Sequence, residues 1–499
     1  MTALRREFDD SSPRAPGSPG AASTPARATS TRATSKNENP FDLGALLDGR
    51  GSEGFALHER YVNPQMPRVL RTLGFDREWT RAEGPYLFDR AGNAYLDFLA
   101  GFGVFALGRC HPVIEQALQD AMDADLPNLV QMDCPPLAGL LAEALVARMP
   151  DDAYRCFFTN SGAESIETVL KFARGATGRS RILFADHAFH GMTTGALSLN
   201  GGREFRSGFG DLLPGCQSIA FGDLDALRRE LEAGDVAAFV VEPIQGKGVF
   251  VAPEDYLREA ADLCHRHGAL LAVDEVQTGL GRTGTLFAFE QWDVVPDIVT
   301  VAKALSGGYV PVGAVIAKAH VVEAVFDKMD RAVVHSTTFG QNVLAMTAGL
   351  ATLHTIDAEH IVERAAKRGS HLLSGLQALE DRHEVVHEVR GRGLMIGIEF
   401  RRPRSRRLRA QWRILETMRT GLFTQLVVVP LFRDHRILTQ VAGDNQNILK
   451  ILPPLVITDE QADSFVDALD AVLTKLERSL GLLFGVGRSL AIPAIRKGR

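Results

Sequence analysis

Short, unbroken apolar runs, each closed by turn residues, recur through the middle of the chain. Residues 156–159, 182–185, 238–241, 269–273 and 297–302 read as buried strands of the parallel-sheet kind. A strand covered on both faces has no polar side, so its pattern is continuous instead of alternating. Helical periodicity dominates from 113 to 149 and returns in an amphipathic stretch at 163–176 and a long helix at 344–356. Strands interleaved with helices predict an α/β fold. Before them, residues 88–98 predict a hairpin of two short strands around an Ala91-Gly92-Asn93 turn. After them, 389–400 carries a strand signal with a glycine-rich approach, and the basic run 401–409 reads as a solvated loop.

Two of these strands end in opposite charges. The run at 269–273 closes in Asp274-Glu275-Val276-Gln277, and the run at 297–302 in Lys303-Ala304-Leu305-Ser306-Gly307-Gly308. Ligands of open α/β sheets sit beyond the carboxyl ends of the strands. An amine and a carboxylate placed there suit a pyridinium cofactor held as a lysine Schiff base, with the acid paired to the protonated ring nitrogen. A strand-end charge alone is usually a solvated terminus, so the pair needs support. The strand at 156–159 gives some: it turns through Asn160-Ser161-Gly162 into the helix from Ala163, the recipe for an anion site at a helix N-terminus. Ser and Asn also cap ordinary helices, so this reading leans on Asp274 and Lys303.

Gly279-Leu280-Gly281-Arg282-Thr283-Gly284 satisfies the dinucleotide pattern G-x-G-x-x-G and raises a nicotinamide dehydrogenase as a second class. The acidic residues precede the glycines instead of following about 20 residues later, which counts against it. The net charge of −6 excludes a basic nucleic-acid face. Five scattered cysteines without C-x-x-C spacing predict reduced thiols in the cytoplasm, and neither a disulfide frame nor a metal site. No apolar run approaches the roughly 20 residues that cross a bilayer.

Leu271-Ala272-Val273-Asp274-Glu275-Val276-Gln277-Thr278-Gly279, Gly281-Arg282-Thr283-Gly284, Pro296-Asp297-Ile298 and Lys303-Ala304-Leu305 with Gly307-Gly308 together resemble the signature of class III aminotransferases, the ornithine, acetylornithine, putrescine and ω-amino acid type. The resemblance covers roughly 55–478. It implies pyridoxal phosphate (PLP) as cofactor and the fold type I architecture. A large, mostly parallel-sheet domain (111–350) would stand beside a small α+β domain built from both chain ends (41–110 and 351–478). It further implies that Lys303 binds the cofactor and shuttles the proton, and that Asp274 keeps the ring nitrogen protonated. Ser161, Gly162 and Ala163 would hold the phosphate and Phe189 stack on the ring, with His190 beside it. Glu242 and Gln277 would lie near the ring hydroxyl. Thr338 would reach the phosphate of a neighbouring subunit, so that a homodimer shares its active sites. Phe102, Val104 and Phe105 would wall the access path.

Two positions depart from the ornithine-type pattern. Lys247 stands where a glutamate is common, and Lys450 where an arginine before Pro453-Pro454-Leu455 clamps the substrate's α-carboxylate. Lysine cannot reproduce the planar, bidentate grip of guanidinium. A primary amine, diamine or ω-amino donor therefore fits, with a 2-oxo acid or aldehyde as acceptor. Aminomutases, racemases and decarboxylases of the same fold share the cofactor residues and stay open as alternatives. Residues 1–40, rich in Ser, Thr, Pro, Ala and Arg, predict a disordered extension. The tail 480–499 mixes Leu, Phe and Val with Arg and Lys, and suits either contact with an anionic membrane surface or lipid, or packing on the enzyme itself.

Overall fold

The computed structural model describes residues 41–130, 132–418, 421–443 and 446–478, so the expectations for 1–40 and 480–499 lie outside the described residues. Residues up to Gly54 form one compact unit, which carries a helix at Leu43–Arg50, and those from Phe55 form another.

A seven-stranded sheet runs through the second unit in the spatial order Tyr154–Thr159, Gly313–Lys318, Ile298–Val301, Leu270–Asp274, Val236–Val241, Arg181–Ala185, Cys216–Ile219. Only Gly313–Lys318 is antiparallel to its neighbours; the rest of the sheet is parallel. Its continuous apolar runs have the cause inferred from the sequence. Leu271, Val273, Val299 and Val301 face one hydrophobic core, while their neighbours Leu270, Ala272 and Ile298 face a second. Helices Gly162–Thr177 and Ala319–Val325 cover the second core, and Tyr256–Arg266 and Val343–Ala358 the first.

Two smaller sheets complete the α/β fold. Trp79–Glu83, Tyr86–Asp89 and Ala94–Asp97 form an antiparallel meander, which Ile437–Leu438 joins in parallel from far along the chain. The predicted turn is closed by Asp89 Oδ1, which accepts from the N–H groups of Ala91 at 3.0 Å and Asn93 at 2.9 Å. The other sheet orders Val386–Arg392, Met395–Phe400, Ile448–Ile451 and Gln440–Val441, backed by the helices Ile361–Arg382 and Asp459–Arg478.

Three expectations are corrected. The helical stretch 113–149 is two helices, Pro112–Asp123 and Pro136–Val146, because Pro127 and the Pro135-Pro136 pair interrupt the backbone hydrogen bonds between them. The strand at 389–400 is a hairpin turned at Gly393, whose φ of +53° a β-branched residue would resist. The basic run 401–409 is a loop only to Ser405; a helix starts at Arg406, since arginine and leucine are good helix formers once a turn is nucleated.

Candidate active site

The parallel strands deliver their carboxyl ends to one edge of the sheet, and the residues singled out in the sequence gather there. Asp274 ends its strand with Oδ2 2.7 Å from His190 Nδ1. Its Oδ1 accepts from the Val276 N–H at 3.0 Å and from the Thr300 hydroxyl at 3.1 Å. Burial is the largest influence on His190 and works against its charged form, but the Asp274 hydrogen bond and the nearby carboxylates outweigh it and raise the imidazole's pKa. Glu242 ties two loops together: Oε1 accepts from the Gly246 N–H at 2.8 Å and Oε2 from the Phe189 N–H at 3.1 Å. Burial pushes its carboxyl up.

Lys303 follows the Ile298–Val301 strand with φ of +46°, a left-handed conformation that costs a non-glycine residue about 1 kcal/mol. Such strain collects where a side chain must be aimed. Burial pushes the Lys303 amine down, and Asp274 and Glu242 restore only part of the shift. Two cavities meet at this residue. The inner one, about 480 Å³, is lined by Val104, Ser161, Gly162, Ala163, His190 and Asp274. Phe102, Met192, Phe205, Lys247, Val441 and Lys450 line the outer one, about 590 Å³. Phe189, Glu242, Gln277 and Lys303 border both.

The inner cavity offers donors suited to the phosphate that PLP carries. Ser161 caps the helix Gly162–Thr177 by accepting from the Glu164 N–H, which leaves the N–H groups of the first turn, Gly162 and Ala163, at the cavity wall. Both flanking glycines are needed for close approach. A Cβ on Gly162 would lie 2.8 Å from Val276 Cγ1, and one on Gly191 2.7 Å from Ala163 Cβ. His190 Nε2 is buried without a partner, so the imidazole has hydrogen-bonding capacity left beyond Asp274.

The structure brings most of the predicted site residues together, but not all. Val104 lines the inner cavity and Phe102 the outer one, whereas Phe105 borders neither and packs beneath the Arg109 guanidinium, 4.1 Å from its ring centroid. Phe102 belongs to the turn Ala100–Gly103, in which all four residues have positive φ. Thr338 is exposed and borders neither cavity of its own chain. Lys247 reaches the outer cavity with its amine in an ion pair with Glu204. Lys450 is 4% exposed and donates to the Gly246 carbonyl at 2.7 Å and to Gln277 Oε1 at 3.4 Å. Burial, reinforced by Lys303, lowers its pKa to about 7.

Other residues of the site escaped the sequence reading. Tyr309 and Ser306 line the inner cavity just after Lys303, and Met192 and Phe205 the outer one. The glycines around Phe205 were the available signal, since they mark a loop able to fold over a cleft. Glu275 is buried against Thr278 and the Phe289 N–H. Arg282, in the dinucleotide-like run, is 2% exposed and donates to the carbonyls of Leu394 and Pro453. That run opens no crossover helix; it is followed by the short 3-10 turn Ala288–Trp292.

A family model described as Aminotransferase class-III matches residues 73–473. The putrescine aminotransferase of Pectobacterium atrosepticum is 39% identical over 461 residues, covering 89% of this chain and 92% of its own. Aminotransferase PigE of a Serratia species is 36% identical over 455 residues and 85% of this chain, which spans only 53% of that longer relative. Among solved structures, the ornithine aminotransferase of Toxoplasma gondii, with PLP at partial occupancy in its active site, matches with a TM-score of 0.76 at 29% identity. That match covers 88% of this chain and 98% of the other.

Proposed function

The chain belongs to the class III aminotransferases, PLP-dependent enzymes of fold type I, and on that premise we propose that its amino donor is a primary amine without an α-carboxylate, a diamine or an aliphatic ω-amine, and its acceptor a 2-oxo acid or aldehyde. The observation that carries this reading is Lys450. It occupies the position of the ornithine-type arginine, its amine is engaged by the Gly246 carbonyl, and a pKa of about 7 leaves it largely uncharged just above neutrality. A neutral amine offers no charge to hold a carboxylate. Apolar side chains, among them Phe102, Met192, Phe205, Val441 and Ala442, supply much of the rest of the outer wall. The Pectobacterium relative is named for a diamine. The relatives reported above are named as aminotransferases and do not favour an aminomutase, racemase, decarboxylase or dehydrogenase.

Bound in the inner cavity, PLP supplies an electron sink for the carbanion formed at the substrate carbon. The N–H groups of Gly162 and Ala163, with Ser161, would hold its phosphate, and Phe189 would cover its ring and keep out water. Asp274, oriented by Val276, Thr300 and His190, lines the inner cavity and would pair with the cofactor's ring nitrogen. Gln277 and Glu242 line the same cavity and would stand beside the ring hydroxyl. Lys303 Nζ, deprotonated the more easily for its burial, is the base that takes the proton from the substrate carbon. We place Thr338 at the phosphate of a second subunit, in a cytoplasmic homodimer with shared sites.

Steady-state kinetics with a donor panel test the reading. Putrescine and hexylamine are expected to exceed ornithine, acetylornithine and 4-aminobutyrate in kcat/KM. The opposite order discards the carboxylate-free donor.

A further inference from the structure

Beyond the helix Thr194–Ser198 the chain makes one short helical turn, Arg203–Arg206, between Gly201-Gly202 and Gly208-Phe209-Gly210. Gly208 and Gly210 have φ of +91° and +74°, values that only glycine adopts at little cost. This turn lies on the outer cavity. Phe205 lines it, with its ring 5.4 Å from that of Phe189 and tilted by 68°, an edge-on contact. One side chain from the opposite loop holds the turn at two points. The Lys247 amine lies 4.9 Å from the Phe205 ring centroid and forms an ion pair with the neighbouring Glu204. A Cβ at Gly202 would collide with the Glu204 carboxylate, so the glycine is what lets Glu204 fold back to meet the lysine.

A cation whose charge is matched by Glu204 is a poor seat for a substrate carboxylate, yet it suits a clasp. We propose that Glu204, Phe205 and Lys247 determine specificity: the Arg203–Arg206 turn is a lid on the outer cavity, latched by the Lys247–Glu204 pair, and Phe205 is the surface that meets the substrate. The latch selects substrates whose end remote from the reacting amine carries no carboxylate. Closure brings Phe205 beside Phe189 and faces the site with aromatic edges, while Met192, Val441 and Ala442 continue the apolar lining. A remote carboxylate would find the Lys247 charge already matched by Glu204 and would have to break that pair or lie unpaired against these walls, and either cost rejects it. The substrate half of the proposal rests on the amine-donor reading above; the latch does not.

Charge reversal tests it. Glu204→Lys and Lys247→Glu each break the pair, and the double variant restores it with the signs exchanged. An arginine-specific protease reads the lid directly in the full chain, because Arg203 and Arg206 flank the latch. Both single variants are expected to be cut faster than wild type, and the double variant at the wild-type rate. In the same proteins KM for hexylamine should rise about fivefold in the singles with kcat nearly unchanged, and return in the double. Phe205→Ala should raise KM for hexylamine about tenfold and that for propylamine far less, since only the longer chain reaches the ring. Singles that are cut no faster, a double that does not restore protection, or a Phe205→Ala effect equal for both amines overturns the proposal. No turnover of either amine overturns the donor reading instead, while the protease pattern still decides the latch.

Discussion

Replacing Glu275 by glutamine should change how stability depends on pH, by an amount the structure sets. Glu275 is 1% exposed; its Oε1 accepts from the Phe289 N–H at 2.8 Å and its Oε2 from the Thr278 hydroxyl. Burial raises its pKa from 4.5 to about 7, only partly opposed by these hydrogen bonds. A carboxyl whose folded pKa is raised contributes stability fully below the unfolded value, near 4.5, and loses it as pH rises through the folded value, near 7. The full shift is worth about 3 kcal/mol at 1.36 kcal/mol per unit, and about 2 kcal/mol of it falls between roughly pH 5.5 and 8.5. Glutamine keeps the acceptor for Phe289 and cannot ionise. It disturbs the Thr278 contact at every pH for about 1 kcal/mol. Equilibrium urea unfolding of the cofactor-saturated wild type and Glu275→Gln at both pH values gives the two stability differences. The variant should gain about 2 kcal/mol on the wild type in going from the lower to the higher pH, because the other titrating groups are common to both proteins and cancel. Parallel pH dependences would refute the buried, late-ionising carboxyl.

Lys303→Ala should abolish turnover, and mass spectrometry after borohydride should find no cofactor fixed to the chain; normal turnover would remove Lys303 from the mechanism. Lys450→Arg should lower KM for ornithine at least tenfold relative to hexylamine, because a permanent guanidinium restores a bidentate carboxylate partner. In the wild type, KM for a 2-oxo acid should climb as pH rises through about 7, where Lys450 loses its proton, and Lys450→Arg should flatten that climb. Mixing inactive Lys303→Ala with inactive Thr338→Ala subunits should recover part of the activity, since one site of each hybrid is then intact; no recovery would place Thr338 in its own chain's site.

The sheet and its charged edge were legible because burial on both faces leaves short continuous apolar runs, which their length and flanking turn residues separate from buried helix. Leu270 and Leu271 face different cores, so the run carried no polar interruption, and the first charges after it, Asp274 and Lys303, had to stand at the strand ends. The break at 124–135 was harder to read, because leucines and methionines continue at helical spacing across Pro127 and Pro135. The basic helix from Arg406 was hidden for the opposite reason, its charge resembling a solvated loop. The strained φ of Lys303, the ion pair between Lys247 and Glu204, and the depressed amine of Lys450 left no local mark at all. Each depends on a neighbour distant in the chain, and a substitution such as lysine for arginine shows only that something differs.

The two cavities share one stretch of chain, and the outer one adds a second. All residues that line the inner one fall between 104 and 312, while the outer one is closed by 440–450, on the far side of the intervening helices. During synthesis from the amino terminus, the parts for the chemistry exist long before the last section of the outer wall emerges. That last section, 440–450, supplies none of the inner lining, so exchanging a short late stretch of the gene can alter which substrates fit while the parts for the reaction stay as they were.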